Sequence, residues 1–436
     1  MRYCLIIFSA FFAISSWQPR IYGQGISSTD LKPGIGHTVR VPFVYEHPEK
    51  GSFDLSYELG RAFDPAKRTV FVIADGQQFY VRTGLIAPLQ DKLFGDSFNV
   101  VGIIGRGVNE QVAREVKHGS SVDWLTAYQI LNSDEWIEDI ESVRKDLLGP
   151  MGAVALYGRS GGALLVHQYL CKHPEHVVAA YTQASVNRFL DAEFGLSSDT
   201  FWNEIGQSDT TLQPLLLEAV ARHPADRSKI MLLLQRQNFF VPAAQITVER
   251  AKLIHALHDW DETSIAKLSK DYQVDPTLDF LKAGNPMINI RIFELFAPVL
   301  ASARVGAEQR IDPDMEVGKL FAEPLLQLLA QKKISAPAID FRAAHSVTAD
   351  VYIVAGRYDH TADYRSQIAL ASEYPKHHLL LLNDDHDFLE LEKTRLTPSL
   401  VQSALADGIH GPEKAGIERQ LGSLIYREYG EGKTDH

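Results

Sequence analysis

A serine on a glycine-flanked turn is the feature that most constrains how this 436-residue chain can fold. Residues 158–162 read Gly-Arg-Ser-Gly-Gly, after the apolar, strand-like run 153–157 and before a helical pattern that begins near Ala163. The turn between such a strand and helix is so sharp that the residues two positions on either side of the serine must lack bulk. This pattern predicts a nucleophile elbow, with Ser160 as the attacking group and the backbone N–H of Gly161 as an oxyanion donor. The alternative is an ordinary glycine-rich strand-to-helix turn.

Strand-like and helical patterns alternate through most of the chain. A predicted hairpin over 37–60 comes first, and a helix over 133–148, with Ser133 as its N-cap, precedes the serine turn. The predicted buried strands are 69–74, 98–104, 153–157, 177–184, 349–355 and 378–382. Strands alternating with helices indicate an α/β fold with a mainly parallel sheet covered by helices on both faces.

The alternation stops for about 160 residues. The segment 188–345 shows helical periodicity at 212–221, 248–258 and 324–331, with no comparable strand run. We therefore predict a helical lid over 188–345, inserted into an α/β core formed by residues 25–187 and 346–436. The last stretch, 416–429, is predicted to be a closing helix.

Residues 1–24 have the pattern of a secretory signal peptide. A basic start and an apolar run of about a dozen residues, too short to span a bilayer, precede small and polar residues. Cys4 lies too early for lipid attachment, so only Cys171 would remain after cleavage, and no intrachain disulfide could form. We expect Cys171 to be a small buried hydrophobe and the mature protein, without a transmembrane segment, to be exported to a bacterial periplasm or exterior.

The charge of the chain excludes some classes of partner. A formal net charge of −12, with no basic cluster, argues against nucleic acid and against an anionic membrane surface. Residues 105–107 read Gly-Arg-Gly, but they lack the third glycine and the position at the first βα turn that a dinucleotide-binding motif requires.

Candidate partners for Ser160 follow the two late strands. A serine hydroxyl needs a base to attack an acyl carbon, and the base needs an orienting carboxylate. Asp359 follows strand 349–355 and His386 follows strand 378–382, in the chain order Ser, Asp, His that an α/β core with this elbow uses. Asp359 could instead cap its loop, with Asp363 as a nearby competitor. Since aspartates surround His386, a metal cluster is the alternative there, but no ligand-loop pattern matches.

The second oxyanion donor is expected in the loop after the strand over 69–74. Residues 75–79 read Asp-Gly-Gln-Gln-Phe, in which Gly76 lets the backbone turn inward and Gln77 or Gln78 would donate an amide. The sequence leaves both glutamines open, and an ordinary tight turn is the alternative.

The arrangement resembles the α/β-hydrolase superfamily and, within it, the prolyl aminopeptidase and secreted tripeptidyl aminopeptidase-like branch. The segment 41–48 followed by 52–55 is similar to the opening of the secreted tripeptidyl type. Residues 134–144 look like that branch's helix before the elbow, and 158–178 like its elbow helix and following strand. The resemblance covers the core well and the lid poorly.

Two departures from that branch bear on activity. Where the branch has His-Gly-Gly-Pro-Gly, this chain has residues 75–79, and Gly161 replaces the large aromatic that usually follows the serine in prolyl aminopeptidases. Lid glutamates of the family hold the substrate's free α-amine. The segment Arg291 to Glu294 resembles such a site and makes Glu294 a candidate substrate ligand, with a salt bridge inside a lid helix as the alternative.

These observations predict an exported serine hydrolase with a triad of Ser160, Asp359 and His386, without a metal or organic cofactor. Its substrate would be a small peptide that loses N-terminal residues or, alternatively, a carboxylic ester. A non-catalytic binding protein on a hydrolase scaffold is the hypothesis from another class.

Overall fold

The computed structural model describes residues 36–430, apart from 77–79, 120, 194–195, 197–198 and 303–309. The predicted signal peptide over 1–24 and Cys4 lie outside these residues. Within the described ranges, no helix combines the length and the apolar composition that a membrane crossing requires.

Eleven strands occur in the described part of the chain, nine of them in one sheet with the order β1-β2-β4-β3-β7-β8-β9-β10-β11. β5 and β6 form a separate short pair. The strands are β1 His37–Pro42, β2 Ser52–Leu59, β3 Arg68–Ile73, β4 Phe98–Ile104, β5 Lys117–His118, β6 Ser121–Val122, β7 Val154–Arg159, β8 Val177–Gln183, β9 Asp350–Gly356, β10 His377–Leu382 and β11 Ile425–Gly430.

The middle of the sheet is parallel and buried on both faces. β4, β3, β7, β8, β9 and β10 pair in parallel, whereas β1, β2 and β11 pair antiparallel at the two edges. Successive side chains of a strand point to opposite faces, so the unbroken burial of β7 means that both faces are covered. The predicted α/β fold with a mainly parallel sheet is confirmed, and so is the hairpin of β1 and β2.

The helices of the core cover the sheet. Along the chain, some of them come before the long helical segment and the others come after it. Before that segment they are α1 Ile86–Leu89, continued by a π-helical turn over Gln90–Phe94, α2 Glu110–Val116, α3 Trp124–Leu131, α4 Ser133–Leu148 and α5 Gly161–Lys172.

Between β8 and β9, all regular structure in the described residues is helical. These helices are α6 Arg188–Glu193, α7 Asp199–Ser208, α8 Leu212–Arg222, α9 Arg227–Phe240, α10 Ile246–Asp259, α11 Glu262–Asp271, α12 Val274–Ala283, α13 Pro286–Ser302 and α14 Pro313–Ala330. The predicted domain bounds of 188–345 stay a prediction, and we use the term lid for helices α6 to α14. The chain then returns to the core with α15 Tyr364–Ser372, α16 Leu389–Thr394, α17 Thr397–Asp407 and α18 Lys414–Leu421.

Two local predictions were wrong. Helix α4 is capped by Asn132, whose side chain accepts the N–H of Glu135, while Ser133 is the first helical residue and turns its hydroxyl to Glu294. The predicted closing helix over 416–429 ends at Leu421, and β11 follows. β11 forms because the open edge of β10 offers a full set of backbone partners that a longer helix would leave unused.

Cys171 lies on α5, partly buried. Burial raises the pKa of its thiol to about 12, so the thiol stays protonated and unreactive. This environment agrees with the role expected for it as a small hydrophobic residue.

Candidate active site

Ser160 sits on a strained turn between β7 and α5. Its φ of 51° and ψ of −127° lie where few residues other than glycine are found, and its backbone N–H is held by the carbonyl of Gln183 at 2.9 Å. A Cβ on Gly158 would lie 2.7 Å from the carbonyl oxygen of Gly162, so the turn admits no side chain there. The sequence predicted this geometry because only glycines tolerate so close an approach of strand and helix.

His386 bridges Ser160 and Asp359. Its Nε2 lies 3.0 Å from Ser160 Oγ, and its Nδ1 lies 2.8 Å from Asp359 Oδ2. All three residues are buried, with Ser160 6% and His386 2% exposed. The three residues come together because β7, β9 and β10 are parallel and end at the same edge of the sheet.

Asp359 combines the two roles that the sequence left open. Its Oδ1 accepts the backbone N–H groups of Thr361 and Ala362 at 2.9 and 2.8 Å, while its Oδ2 faces His386. The first pair of hydrogen bonds fixes the loop, and the fixed loop aims the second oxygen at the imidazole.

The alternative carboxylate, Asp363, is used elsewhere. It caps α15 by accepting the backbone N–H of Arg365 at 2.9 Å, and its side chain also binds the Arg365 guanidinium and the Thr200 hydroxyl. No hydrogen bond joins Asp363 to His386 among the described residues.

The electrostatic environment raises the pKa of His386. Burial by itself would lower this pKa, but the charge of Asp359, its hydrogen bond to Nδ1 and the charge of Asp387 together outweigh burial. Because an ionised carboxylate can only accept, the Nδ1–H donates to Asp359 and leaves Nε2 of the neutral ring free to accept the Ser160 hydroxyl proton.

The aspartates beside His386 stabilise its loop. Asp384 and Asp385 together accept five backbone N–H groups, at 2.8 to 3.2 Å. Burial raises the pKa of Asp384 to about 6 and, with help from neighbouring carboxylates, that of Asp385 to about 8. These contacts give Asp384 and Asp385 a structural role in fixing the loop that carries His386.

Asp387 is different, because its carboxylate is not used by the loop. It is 2% exposed, and its Oδ1 has no hydrogen-bond partner in the described part of the chain. Burial raises its pKa to about 7, against the lowering effect of His386 and Arg159. A buried carboxylate with a free oxygen beside the imidazole can accept a hydrogen bond from a cationic group of a ligand.

Among the described residues, the one group with metal-ligand spacing lies at the opposite end of β10. His378, Glu418 and Glu428 bring one ligand atom each within 4.8 Å. The Lys414 ammonium stands 3.0 Å from His378 Nδ1 and 3.6 Å from a carboxylate oxygen of Glu418, so a protein cation lies beside this group.

The oxyanion donors expected from the sequence are Gly161 and a glutamine of the loop after β3. The expected donors Gln77 and Gln78 lie outside the described residues. Asp75, at the start of that loop, is 2% exposed, and a Cβ on Gly161 would overlap its Oδ2. Gly161 is therefore required by the Asp75 carboxylate as well as by the turn.

Glu294, the candidate amine ligand, is engaged within the protein. Its Oε1 accepts the backbone N–H and the hydroxyl of Ser133, at 2.8 and 3.1 Å, and its Oε2 accepts Nη1 of Arg291. The residue is 2% exposed. This arrangement corresponds to the alternative interpretation, a salt bridge within lid helix α13, extended by contacts to the start of α4.

The lid closes over the site. The ring of Phe239, on α9, meets the His386 imidazole edge-on with their centroids 5.4 Å apart. Two residues of the Asp359 loop also reach the lid, since His360 lies 2.9 Å from Glu204 on α7 and the Thr361 hydroxyl 3.3 Å from Asp314 on α14.

Sequence reasoning missed these lid contacts. Phe239 and Glu204 carry no local signal. Helix α9 is buried on every side from Ile230 to Phe239, and Glu204 lies in an ordinary amphipathic helix. The way in which the lid helices pack against the core decides which of the many lid aromatics and carboxylates face the site.

The strand order and the serine elbow together define the α/β-hydrolase fold. Solved proteins of this fold cover most of the chain at low identity. A proline iminopeptidase from Mycobacterium smegmatis is 14% identical over 85% of this chain and 98% of that chain, with a TM-score of 0.43. An acetylester hydrolase from Corynebacterium glutamicum is 13% identical over 88% and 96%, with a TM-score of 0.38. A bromoperoxidase from Bacillus anthracis is 11% identical over 84% and 98%, with a TM-score of 0.39.

No protein-family model matches the chain, and no curated protein matches its sequence significantly. Likenesses at these identities and TM-scores carry no information about activity or substrate.

Proposed function

We propose that this protein is a serine hydrolase that cleaves an acyl bond with Ser160 as nucleophile, His386 as general base and Asp359 as the residue that orients the imidazole. The observation that supports it is the continuous series of hydrogen bonds from Ser160 Oγ through both ring nitrogens to Asp359, at 3.0 and 2.8 Å. A nucleophile within reach of a base that is itself held by a carboxylate is the arrangement that activates a serine hydroxyl.

In the acylation half-reaction, Ser160 Oγ forms a bond to the carbonyl carbon while its proton passes to His386 Nε2. The carbonyl oxygen takes the negative charge and is held by the Gly161 N–H and a donor from the 76–78 loop. When the tetrahedral intermediate collapses, the bond to the leaving nitrogen or oxygen breaks, and the imidazolium returns the proton to that atom.

Water completes the cycle. His386 takes a proton from a water molecule, whose oxygen attacks the acyl carbon of the Ser160 ester. When the second tetrahedral intermediate collapses, the bond to Ser160 Oγ breaks, the imidazolium returns the proton to Oγ, and the acid and the free serine are released. Asp359 stays ionised throughout and stabilises the transient imidazolium.

For the substrate, we propose short peptides that lose N-terminal residues. Such a substrate carries an ammonium group, which needs a carboxylate inside the closed site. Asp387 supports this proposal, because it is buried beside His386 with an oxygen that accepts no hydrogen bond from the described residues. Glu294, which the family resemblance suggested, supports it less, because Ser133 and Arg291 already use both of its oxygens. An uncharged carboxylic ester is the alternative substrate.

Export to a bacterial periplasm or exterior belongs to the proposal too, and it rests on the sequence pattern of residues 1–24. Cell fractionation of the full-length chain, with mass spectrometry of its N-terminus, tests it. An uncleaved protein in the cytoplasmic fraction would contradict it.

A fluorophosphonate probe tests the nucleophile. The wild-type protein should be labelled on Ser160, and Ser160→Ala should not be labelled. Ser185→Ala is the matched control, since Ser185 is also buried at the end of a neighbouring strand and should leave labelling unchanged. Absence of label on the wild-type protein would favour the non-catalytic alternative.

Paired substrates separate peptidase from esterase. Aminoacyl arylamides with a free α-amine should be cleaved faster than the same compounds with the amine acetylated, and Asp387→Asn should reduce this preference by about tenfold, a hydrogen bond to a charged group being worth roughly 1.5 kcal/mol. If Glu294→Gln abolishes the preference while Asp387→Asn keeps it, the ammonium lies at Glu294. If only acyl esters are cleaved, the peptidase proposal fails and the serine mechanism stands.

A further inference from the structure

We propose that Arg291 is a positioning residue for the oxyanion hole, because its guanidinium offsets the Asp75 carboxylate, which would otherwise oppose the developing oxyanion. The inference rests on the proposed serine mechanism. It concerns a buried ion pair that joins the loop after β3 to lid helix α13, and that the chemistry of the triad does not use.

The position of the Asp75 carboxylate creates an electrostatic problem. Its Oδ2 occupies the space in which Gly161 would carry a Cβ, at the first residue of α5. The N-terminus of a helix attracts negative charge, and the Gly161 N–H is the proposed oxyanion donor. A carboxylate at this point competes with the oxyanion for the same donors, and the two negative charges repel each other in a medium of low dielectric constant.

The Arg291 guanidinium lies close enough to offset this charge. It is completely buried, its Nε lies 3.8 Å from Asp75 Oδ2, and its Nη1 binds Glu294. Its Nε and Nη2 make no hydrogen bond to any described residue. A guanidinium buried with two unused donors is costly, so its retention beside Asp75 needs a reason beyond the one contact with Glu294.

The network continues into the core. Glu294 accepts two hydrogen bonds from Ser133 at the start of α4, and burial raises its pKa against the lowering effect of Arg291. Leu295, the next residue of α13, would lie 3.4 Å from a Cβ on Gly161. One helix of the lid therefore carries the guanidinium, the carboxylate that anchors it to the core and an apolar contact with the oxyanion glycine.

The lid thus has a part in the chemistry besides covering the substrate. When α13 packs against the core, the Arg291 guanidinium offsets the negative charge of Asp75 beside Gly161. Without Arg291, Asp75 would raise the free energy of the anionic transition state more than that of the neutral Michaelis complex, so the effect belongs in kcat and not in KM.

A double-mutant cycle on Asp75 and Arg291 tests the proposal. The kcat and KM of each variant are measured on an acyl ester or aminoacyl arylamide that the wild-type protein cleaves. Arg291→Met should lower kcat by about 100-fold, the size of the loss of one oxyanion-hole donor, with KM within about threefold. Asp75→Asn should leave kcat within about threefold. The double variant should recover kcat to within about tenfold of wild type, because it also removes the carboxylate charge that Arg291 offsets.

If the two residues have only a structural role, the kcat of the double variant should not recover. Two structural losses would add, so a double variant with kcat at or below that of Arg291→Met would overturn the proposal, as would unchanged kcat in Arg291→Met. If circular dichroism shows that Arg291→Met does not fold, the kcat values of Arg291→Lys and Asp75→Asn test the proposal in its place. Lysine keeps the charge and should retain kcat within about tenfold, and a loss of 100-fold or more in Asp75→Asn would contradict the proposal.

The experiments distinguish a failure of the proposed serine mechanism from a failure of the role proposed for the ion pair. If the wild-type protein takes no fluorophosphonate label and cleaves no substrate, the serine mechanism is wrong. If it is labelled and active while the cycle shows no rescue, only the role of the Asp75–Arg291 pair is wrong.

Discussion

The two sides of Ser160 are built from different parts of the molecule. On the imidazole side, Asp359 and His386 both come from loops after parallel core strands and meet through two short hydrogen bonds. On the oxyanion side, Asp75 from the core meets Arg291 from the lid at 3.8 Å. The hydrogen bonds that orient the base therefore come from core loops, with the lid adding packing around them, whereas the proposed charge balance on the oxyanion side needs a residue of the lid itself.

The largest expected effect is on the imidazole side. Asp359→Asn should lower kcat by about 10³- to 10⁴-fold, because an amide cannot hold the tautomer in which Nε2 accepts the serine proton. The measurement is kcat and fluorophosphonate labelling rate. Asp363→Asn is the matched control, since Asp363 caps α15 and binds Arg365 and Thr200 without a hydrogen bond to His386. Asparagine still caps the helix and loses only the charge that pairs with Arg365, so this variant should cost at most about 1 kcal/mol of stability and leave kcat near wild type. Equal losses in both variants would mean that the carboxylate was misassigned.

The next effect is on the oxyanion side. Gly161→Ala should lower kcat by about 100-fold, because the new Cβ overlaps Oδ2 of Asp75 and displaces either the carboxylate or the N–H donor. The control is Gly416→Ala, in which the Cβ on α18 meets no atom within 4 Å and should stabilise its helix slightly. Near-wild-type kcat in Gly161→Ala would show that the crowding at this glycine has no role in catalysis.

The lid contact on the imidazole should have a smaller effect. Phe239→Leu should lower kcat/KM by about fivefold to tenfold, since an aromatic edge contact is worth roughly 0.5–1.5 kcal/mol and its loss admits water beside His386. Phe240→Leu is the control, because Phe240 packs on Arg236 and Tyr272 and leaves the imidazole untouched. If both variants behave alike, the lid acts on the base only through general stability.

The smallest expected effect is a shift in pH dependence. The base must be neutral to accept the serine proton, so activity rises as pH passes the pKa of His386. Since Asp359 and Asp387 raise that pKa, the acid limb of kcat/KM should have its midpoint above the ordinary histidine value of about 6.5. Asp387→Asn should move this midpoint to lower pH, and an unmoved midpoint would mean that Asp387 does not act on the imidazole.

The imidazole side was predictable because its signals are local. Ser160, Asp359 and His386 each follow an apolar strand run, and parallel strands end at one edge of a sheet. The elbow could be predicted from the glycines on the two sides of Ser160. Asn132 was missed as a helix cap, because Ser133 beside it is an equally good capping residue by type.

The oxyanion side was only partly predictable. Asp75 and Arg291 were both within segments that the sequence singled out, but nothing in either segment shows that they pair, because 216 residues of chain separate them. Glu294 was singled out by resemblance, and its contacts with Ser133 and Arg291 depend on how α13 packs against the start of α4.

The sequence by itself determined the alternation of strands and helices, the serine elbow and the order of its candidate partners, since strand burial and glycine-limited turns are properties of short segments. The tertiary structure decided which carboxylate faces the imidazole, how the edge strand β11 completes the sheet, and which residues of the lid reach Ser160. These outcomes depend on the packing of helices that are distant in sequence, where amphipathic patterns fix a buried face but not the partner that covers it.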